Sequence, residues 1–216
     1  MGKYPIFLEL KGQRAVIIGG GLVAARKAQA LLDAQARLVV VAEKIDDTVK
    51  AVCQNTDAQL IESTYNKQYL PQSLLVIAAT DNQQLNRQIF ADCAELGILC
   101  NVVDEPDICH FYVPAVIKHS SLQIAISTDG KCPAYAGHLR RKLQDIITEQ
   151  HGQFCDDLEK MRQKILKEIP SEAAKKTTLG KLVNDDSFDL YKEKGPSEWF
   201  KWAENLVVQS KNDAET

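Results

Sequence analysis

The sequence has no apolar run approaching the ~20 residues that cross a bilayer. A membrane partner is therefore not expected. Its opening, Met1-Gly2-Lys3-Tyr4-Pro5, lacks the long apolar segment of a secretory signal. Gly2 alone is no lipidation signal, because Leu8-Glu9-Leu10 already reads as folded structure. Excess charge is missing too. A net charge of −3 gives no general attraction for nucleic acid or an anionic surface. The six cysteines (Cys53, Cys93, Cys100, Cys109, Cys132 and Cys155) include no C-x-x-C pair. That spacing argues against a zinc knuckle and a dense disulfide framework, and for reduced thiols in a cytoplasmic protein. No internal repeat of solenoid length is visible. What remains is 216 residues, enough for one large domain or two small ones.

The most informative stretch runs from Arg14 to Lys27. Arg14-Ala15-Val16-Ile17-Ile18 reads as an apolar strand, Gly19-Gly20-Gly21 as a turn, and Leu22 onward as a helix. Such a unit gathers free backbone N–H groups and the positive end of a helix dipole at one point, which suits a pyrophosphate. Gly19-x-Gly21-x-x-Ala24 fits the dinucleotide fingerprint. Gly19, Gly20, Gly21, Leu22 and Val23 are therefore candidate cofactor-binding residues.

Strands and helices alternate through residues 14–104. Residues 6–10 read as a short opening strand before a turn at Lys11-Gly12. The helix from Val23 carries Ala24, Ala28, Leu31 and Leu32 on one face. Residues 37–42 form a near-continuous apolar strand, as expected of a parallel strand buried on both faces. Glu43 then falls roughly 20 residues beyond the glycines, where a ribose-binding acid of an NAD site belongs. Lys44 beside it would tolerate a 2′-phosphate, and both can equally be ordinary loop charges. A helix over 46–54, a short strand over 58–62 and a strong strand over 74–79 follow. In doubly wound sheets ligands sit at the carboxyl ends of strands, so Thr80 is a candidate cofactor contact. Asp81 or Asn82 can cap the next helix, which carries Leu85, Ile89 and Cys93, and Asp81 is the preferred cap. The last strand of the series, 98–104, ends on Asp104. The first hundred residues read as one Rossmann-like domain.

After Phe111 the pattern changes. Residues 112–117 are apolar, Lys118-His119-Ser120-Ser121 is polar, and Leu122-Gln123-Ile124-Ala125-Ile126 alternates like a strand with one covered face. Ser127-Thr128-Asp129-Gly130 forms a hydroxyl-rich turn, and Pro133 fits the first turn of a helix through Leu139, Leu143 and Ile147. Beyond His151 the chain is more charged. Phe154, Leu158, Met161 and Ile165 share one helical face, and a later helix opens at Gly195-Pro196-Ser197 with Trp199, Trp202 and Leu206. Residues 210–216 are expected to fray.

In order, these motifs resemble the precorrin-2 dehydrogenase family of siroheme synthesis, some members of which are also sirohydrochlorin ferrochelatases. The resemblance rests on Pro5-Ile6-Phe7-Leu8, the glycine turn with Val23-Ala24 and Arg26-Lys27, Ala78-Ala79-Thr80-Asp81 with Leu85-Asn86, and Asn101-Val102-Val103-Asp104. Pro114-Ala115, Ala125-Ile126-Ser127-Thr128-Asp129-Gly130 with Pro133, and Leu139-Arg140 with Lys142-Leu143 complete it. It covers roughly residues 4–145, and the tail resembles the helical extension of stand-alone members, with no room for the methyltransferase domain of fused siroheme synthases.

The resemblance implies an α/β fold: a Rossmann-like parallel sheet over 1–112, a small α+β dimerisation and substrate unit over 113–148, and a helical C-terminal domain over 149–216. It implies a homodimer that oxidises precorrin-2 to sirohydrochlorin with NAD as hydride acceptor, with Fe²⁺ as a further substrate if chelation accompanies oxidation. Asp104 matches the family's catalytic aspartate. A carboxylate there could take the proton lost on dehydrogenation; it could also be a strand-end cap before Glu105-Pro106. Ser127 and Thr128 match the hydroxyl loop near the tetrapyrrole. The substrate carries eight carboxylates, for which Lys118 and Arg140 are the candidate cationic contacts. Gly137 stands where many relatives carry arginine. Cys109-His110 could escort iron, but no second pair completes a metal site, so no resident metal is expected. Two other readings share this fold: a non-catalytic NAD- or tetrapyrrole-binding sensor, and a different small-molecule NAD(P) dehydrogenase.

Overall fold

The structure is a computed structural model describing residues 3–215. Met1, Gly2 and Thr216, which the expected outer domains include, lie outside the described residues. The chain divides into two compact units, the first ending at Val113 and the second starting at Pro114.

The first unit is built on five parallel strands: β1 (Arg14–Ile18), β2 (Arg37–Ala42), β3 (Gln59–Glu62), β4 (Leu75–Ala78) and β5 (Leu99–Val102). Their order is β3-β2-β1-β4-β5. Helices α1 (Leu22–Asp33), α2 (Asp47–Cys53) and α3 (Gln83–Glu95) make crossovers, with a single 3-10 turn, Lys67–Tyr69, between β3 and β4. The period of two in each strand sends alternate residues to opposite faces. Ile17, Val40 and Ile77 pack with Ala24, Ala28 and Leu31 of α1, while Val16, Val39 and Val76 pack with Ile89 and Cys93 of α3. Both faces are covered, which is why these strands read as unbroken apolar runs. The chain moves outward from β1 to β3 and then returns to lay β4 on the other side of β1. That reversal leaves a crevice at the carboxyl ends of β1 and β4.

Residues 6–10 do not form the expected strand. Both neighbours of β1, the strand that follows this segment, are taken by β2 and β4, so the segment has no free ladder beside β1. Ile6 and Phe7 are 63% and 71% exposed, and only Leu10 is buried. At the opposite edge, the segment after β5 doubles back along it. His110 N donates to the Cys100 carbonyl at 2.9 Å, Cys100 N donates to His110 Nδ1 at 3.0 Å, and Asn101 Nδ2 donates to the Phe111 carbonyl at 2.9 Å.

The second unit starts with an antiparallel hairpin, β6 (Ala115–His119) and β7 (Leu122–Ile126), joined through Ser120 and Ser121. Helix α4 (Pro133–Gln144) follows, with Pro133 in its first turn. Four helices complete the chain: α5 (Glu149–Glu168), α6 (Glu172–Leu182), α7 (Asp185–Lys194) and α8 (Pro196–Glu215). Helix α5 docks on the hairpin. Ser120 and Ser121 donate to the Asp156 carboxylate, and His119 Nδ1 lies 3.0 Å from Glu149 Oε2. Any Cβ at position 152 would collide with the His119 carbonyl, so Gly152 permits the approach. The expected division at 148/149 accordingly falls inside one compact unit. Trp199, Phe154, Ile165 and Leu182 form the core of the helices. Trp199 Nε1 donates to Ser187 Oγ at 2.8 Å, and Tyr191 OH donates to Asp157 Oδ2 at 2.8 Å.

Three local expectations are corrected. Helix α4 stops at Gln144, so Ile147 lies beyond it. Residues 210–215 continue α8 rather than fray, on a helix anchored by Trp199, Ala203 and Val207. Asn82, not Asp81, caps α3, its Oδ1 accepting from Leu85 N at 3.1 Å.

Gly137 lies within α4, where a Cβ would meet only Arg141 Nη1 at an ordinary 3.8 Å. Gly137→Ala should therefore stabilise the chain by about 0.5–1 kcal/mol. Thermal unfolding should show a midpoint raised by roughly 1–4 °C.

Candidate functional site

The crevice of the first unit is a cleft of about 580 Å³ at the carboxyl ends of β1, β2 and β4. Gly19, Gly20, Gly21, Leu22 and Val23 form its floor, Glu43 and Lys44 one side, and Thr80 another. All eight cofactor-binding candidates thus line one cavity. Local chemistry explains the floor. Gly19 has φ +132°, and a Cβ there would strike the Ala79 carbonyl. A Cβ on Gly20 would strike the Lys44 carbonyl. These two glycines let the turn nest between β4 and the loop after β2. That loop is tied down by Asp46 N, which donates to the Gly20 carbonyl at 2.9 Å.

Gly21 is different. A Cβ there would have only Asp46 Oδ2 nearby, at 4.0 Å. It is the N-cap of α1, with no side-chain cap and no acid in the first turn. The opening N–H groups of α1 are therefore not used by side chains, and the positive end of its dipole meets the cleft. A glycine floor that excludes side chains, beneath free helix N–H groups, fits a dinucleotide pyrophosphate.

Thr80 is held firmly. Its Oγ1 donates to Asn86 Oδ1 at 2.7 Å, while Asn86 Nδ2 donates to the Thr80 carbonyl at 2.9 Å. Asn86 is almost fully buried, so it positions the wall that Thr80 presents. Asp46, Ser63 and Tyr65 also line the cleft and were not anticipated. Ser63 and Asp46 could have been found by treating every loop after a strand as cleft-facing, β3 included. Asp46 and Glu43 together place two carboxylates, with one lysine, Lys44, on one side of the cleft.

Asp104 lies beyond β5, outside the residues that line the cleft. It has φ +63°, a left-handed conformation that aspartate tolerates better than most residues. Its side chain is exposed and accepts no hydrogen bond among the described residues, so it does not cap the strand end. The turn is held from beneath by Cys109. The thiol accepts from Val102 N at 3.2 Å and lies 3.2 Å and 3.3 Å from the Val102 and Glu105 carbonyls. Burial raises its pKa. His110 Nδ1 is engaged by Cys100 N, so the fold uses both members of the Cys109-His110 pair. Among the described residues, no group of three or more His, Cys, Asp or Glu side chains is placed to hold a metal ion.

The remaining candidates belong to the second unit. Lys118 is exposed on β6. Ser127 Oγ accepts from Asp129 N, and Thr128 Oγ1 accepts from Cys132 N, each at 3.1 Å. Both hydroxyls thus shape the turn before α4. Arg140 Nη1 donates to Gln144 Oε1 at 3.2 Å.

A family model described as putative NAD(P)-binding matches residues 6–115, just over half of the 216 residues. The chain belongs to this NAD(P)-binding family. A second model, described as sirohaem biosynthesis protein central, matches residues 120–146. The siroheme synthase of Psychrobacter arcticus is 37% identical over 171 residues, which is 79% of this chain and 31% of that protein. Siroheme synthase 2 of Pectobacterium atrosepticum is 37% identical, over 76% of this chain and 36% of the relative. The siroheme synthase of Actinobacillus pleuropneumoniae serotype 3 is 34% identical, over 89% and 40%. The chain spans about a third of the length of these curated relatives. Among solved structures, one titled "SirC, precorrin-2 dehydrogenase" superposes with a TM-score of 0.74 at 22% identity, covering 94% of this chain and all of that one. It shares the fold.

Proposed function

We propose that this chain is an NAD-dependent precorrin-2 dehydrogenase producing sirohydrochlorin. The observation that carries this reading is the Asp104 carboxylate, which has no hydrogen-bond partner among the described residues and lies in the unit that holds the glycine cleft. Membership of the NAD(P)-binding family and the siroheme synthase relatives support it.

Bound NAD would supply the hydride acceptor. The Gly19–Gly21 turn and the first turn of α1 would hold its pyrophosphate, and Thr80 would border it. Glu43 and Asp46 would accept hydroxyl hydrogen bonds from the ribose and repel a 2′-phosphate, favouring NAD over NADP. Removing a hydride from the reduced macrocycle also releases a proton, which Asp104 would accept. Lys118, Ser127, Thr128 and Arg140 remain the substrate contacts assigned to the second unit.

If iron insertion accompanies oxidation, the same carboxylate would take the pyrrole protons displaced by Fe²⁺. The exposed apolar side chains of Val116, Tyr135 and Ile146 in the second unit favour a homodimer. Four buried free thiols, Cys53, Cys93, Cys100 and Cys109, fit a reducing cytoplasm.

The purified chain mixed with precorrin-2 and NAD should gain NADH absorbance, and later addition of Fe²⁺ reads chelation. Binding of both ligands without turnover would mean a sensor. Oxidation of other alcohols or amines, but not of the tetrapyrrole, would mean a different dehydrogenase.

A further inference from the structure

We propose that Lys27 is a substrate anchor, its ammonium holding one carboxylate of the polycarboxylate substrate beside Asp104. The inference rests on the dehydrogenase reading above and adds a residue to it.

Lys27 sits on α1 four positions beyond Val23, which lines the cleft. Side chains at i and i+4 lie on one face of a helix, about 5–6 Å apart. Lys27 is therefore one turn further along the same face, past the end that suits the pyrophosphate. It is half-buried, yet it makes no hydrogen bond or ion pair among the described residues. Among the described residues the other half-buried lysines are paired: Lys67 with Glu95 at 2.7 Å, Lys164 with Glu204 at 2.9 Å, and Lys175 with Glu172 at 2.7 Å. A half-buried cation without a partner is costly to keep unless something charged completes it.

The groups around Lys27 indicate what completes it. Burial and Arg26 push its pKa down, while Cys109 and Asp104 push it back up, and the net shift is downward. Asp104 is thus near enough to be felt by the ammonium but does not close an ion pair with it. Lys3 approaches the same turn from another side. Its Nζ donates to the Cys109 carbonyl at 3.3 Å and stands 4.7 Å from the Tyr112 ring centroid.

Lys27 near Asp104 and Lys3 on the Cys109 carbonyl thus place two ammonium groups about this turn, in a chain whose net charge is −3. An ammonium beside this turn would hold a substrate carboxylate by a charge-assisted hydrogen bond while Asp104 takes the proton.

The test uses the full chain with Lys27→Met, which keeps the stem and removes the charge, and Lys27→Arg, which keeps the charge. Two readouts are independent: steady-state oxidation of precorrin-2, and fluorescence binding of uroporphyrin, an octacarboxylate with nothing left to oxidise. Lys27→Met should raise the precorrin-2 KM and the uroporphyrin Kd by about 10- to 100-fold, as for loss of a charged hydrogen bond. Its kcat should change far less, its NAD Kd should stay unchanged, and its binding should depend less steeply on salt. Lys27→Arg should recover most of the affinity. An unchanged uroporphyrin Kd, or a weakened NAD Kd, overturns the anchor. Wild-type protein that binds uroporphyrin through Lys27 but leaves precorrin-2 unoxidised overturns the dehydrogenase reading instead.

Discussion

Replacing Asp104 should lower precorrin-2 turnover by about 10²-fold or more while the NAD dissociation constant stays near its original value. The carboxylate is exposed and accepts no hydrogen bond among the described residues, so removing it breaks no contact that holds the fold. The backbone needs more care. At φ +63°, alanine would add strain of roughly 1 kcal/mol or more, whereas asparagine tolerates the left-handed region. Asp104→Asn is therefore the cleaner variant: it keeps shape and conformation and removes only basicity. NADH absorbance under steady state, with a separate NAD titration, separates the two effects. Full activity in Asp104→Asn would leave the residue a turn-former and nothing more.

Gly21→Asp should raise the NAD Kd by more than about 10²-fold while the protein keeps or gains thermal stability. The two outcomes arise from the same geometry. Nothing but Asp46 Oδ2, at 4.0 Å, stands near a Cβ at this position, so the side chain has room. Gly21 already has the extended N-cap backbone, φ −93° and ψ −168°, which aspartate adopts readily. The new carboxylate would bond the first-turn N–H groups of α1 and meet the positive end of the dipole, adding about a few tenths of a kcal/mol that repulsion from the nearby Asp46 carboxylate partly offsets. In doing so it would take the place and the charge of the pyrophosphate. Calorimetric titration with NAD and a thermal melt read both effects. Tight NAD binding by the folded variant would show that the glycine turn is not the pyrophosphate site. Substituting Gly19 or Gly20 would not make this test, because each Cβ would strike a backbone carbonyl and disturb the fold itself.

The parallel sheet was legible because its strands are covered on both faces, which leaves continuous apolar runs at 14–18, 37–42 and 74–79. The glycine floor was legible for a related reason: its spacing answers backbone collisions visible at Gly19 and Gly20. The opening segment misled. Residues 6–10 have strand-like composition, but strand formation depends on a free neighbouring edge, which composition does not report. The cap of α3 depended on one residue of register between Asp81 and Asn82, finer than local propensity resolves. Helices α6 and α7 escaped notice because short, charged segments carry little apolar periodicity. Lys27 belongs to a sequence motif, yet its lack of a hydrogen bond or ion pair among the described residues emerged only from three dimensions.

The way residues 109–111 run back along β5 bears on the fate of the protein in a crowded cell. A parallel sheet exposes two outer rows of N–H and C=O groups, each a template onto which a foreign strand can add. At one end the sheet stops at β3, only four residues long and ending on Glu62, which is ion-paired with Lys50 at 3.1 Å. At the other end, the chain that carries Asp104 supplies its own cover through His110 and Asn101. Residues that hold this loop therefore guard against self-association as well as shaping the turn. Lesions there should first show as loss of dispersed protein, before any change in the rate of the molecules that remain folded.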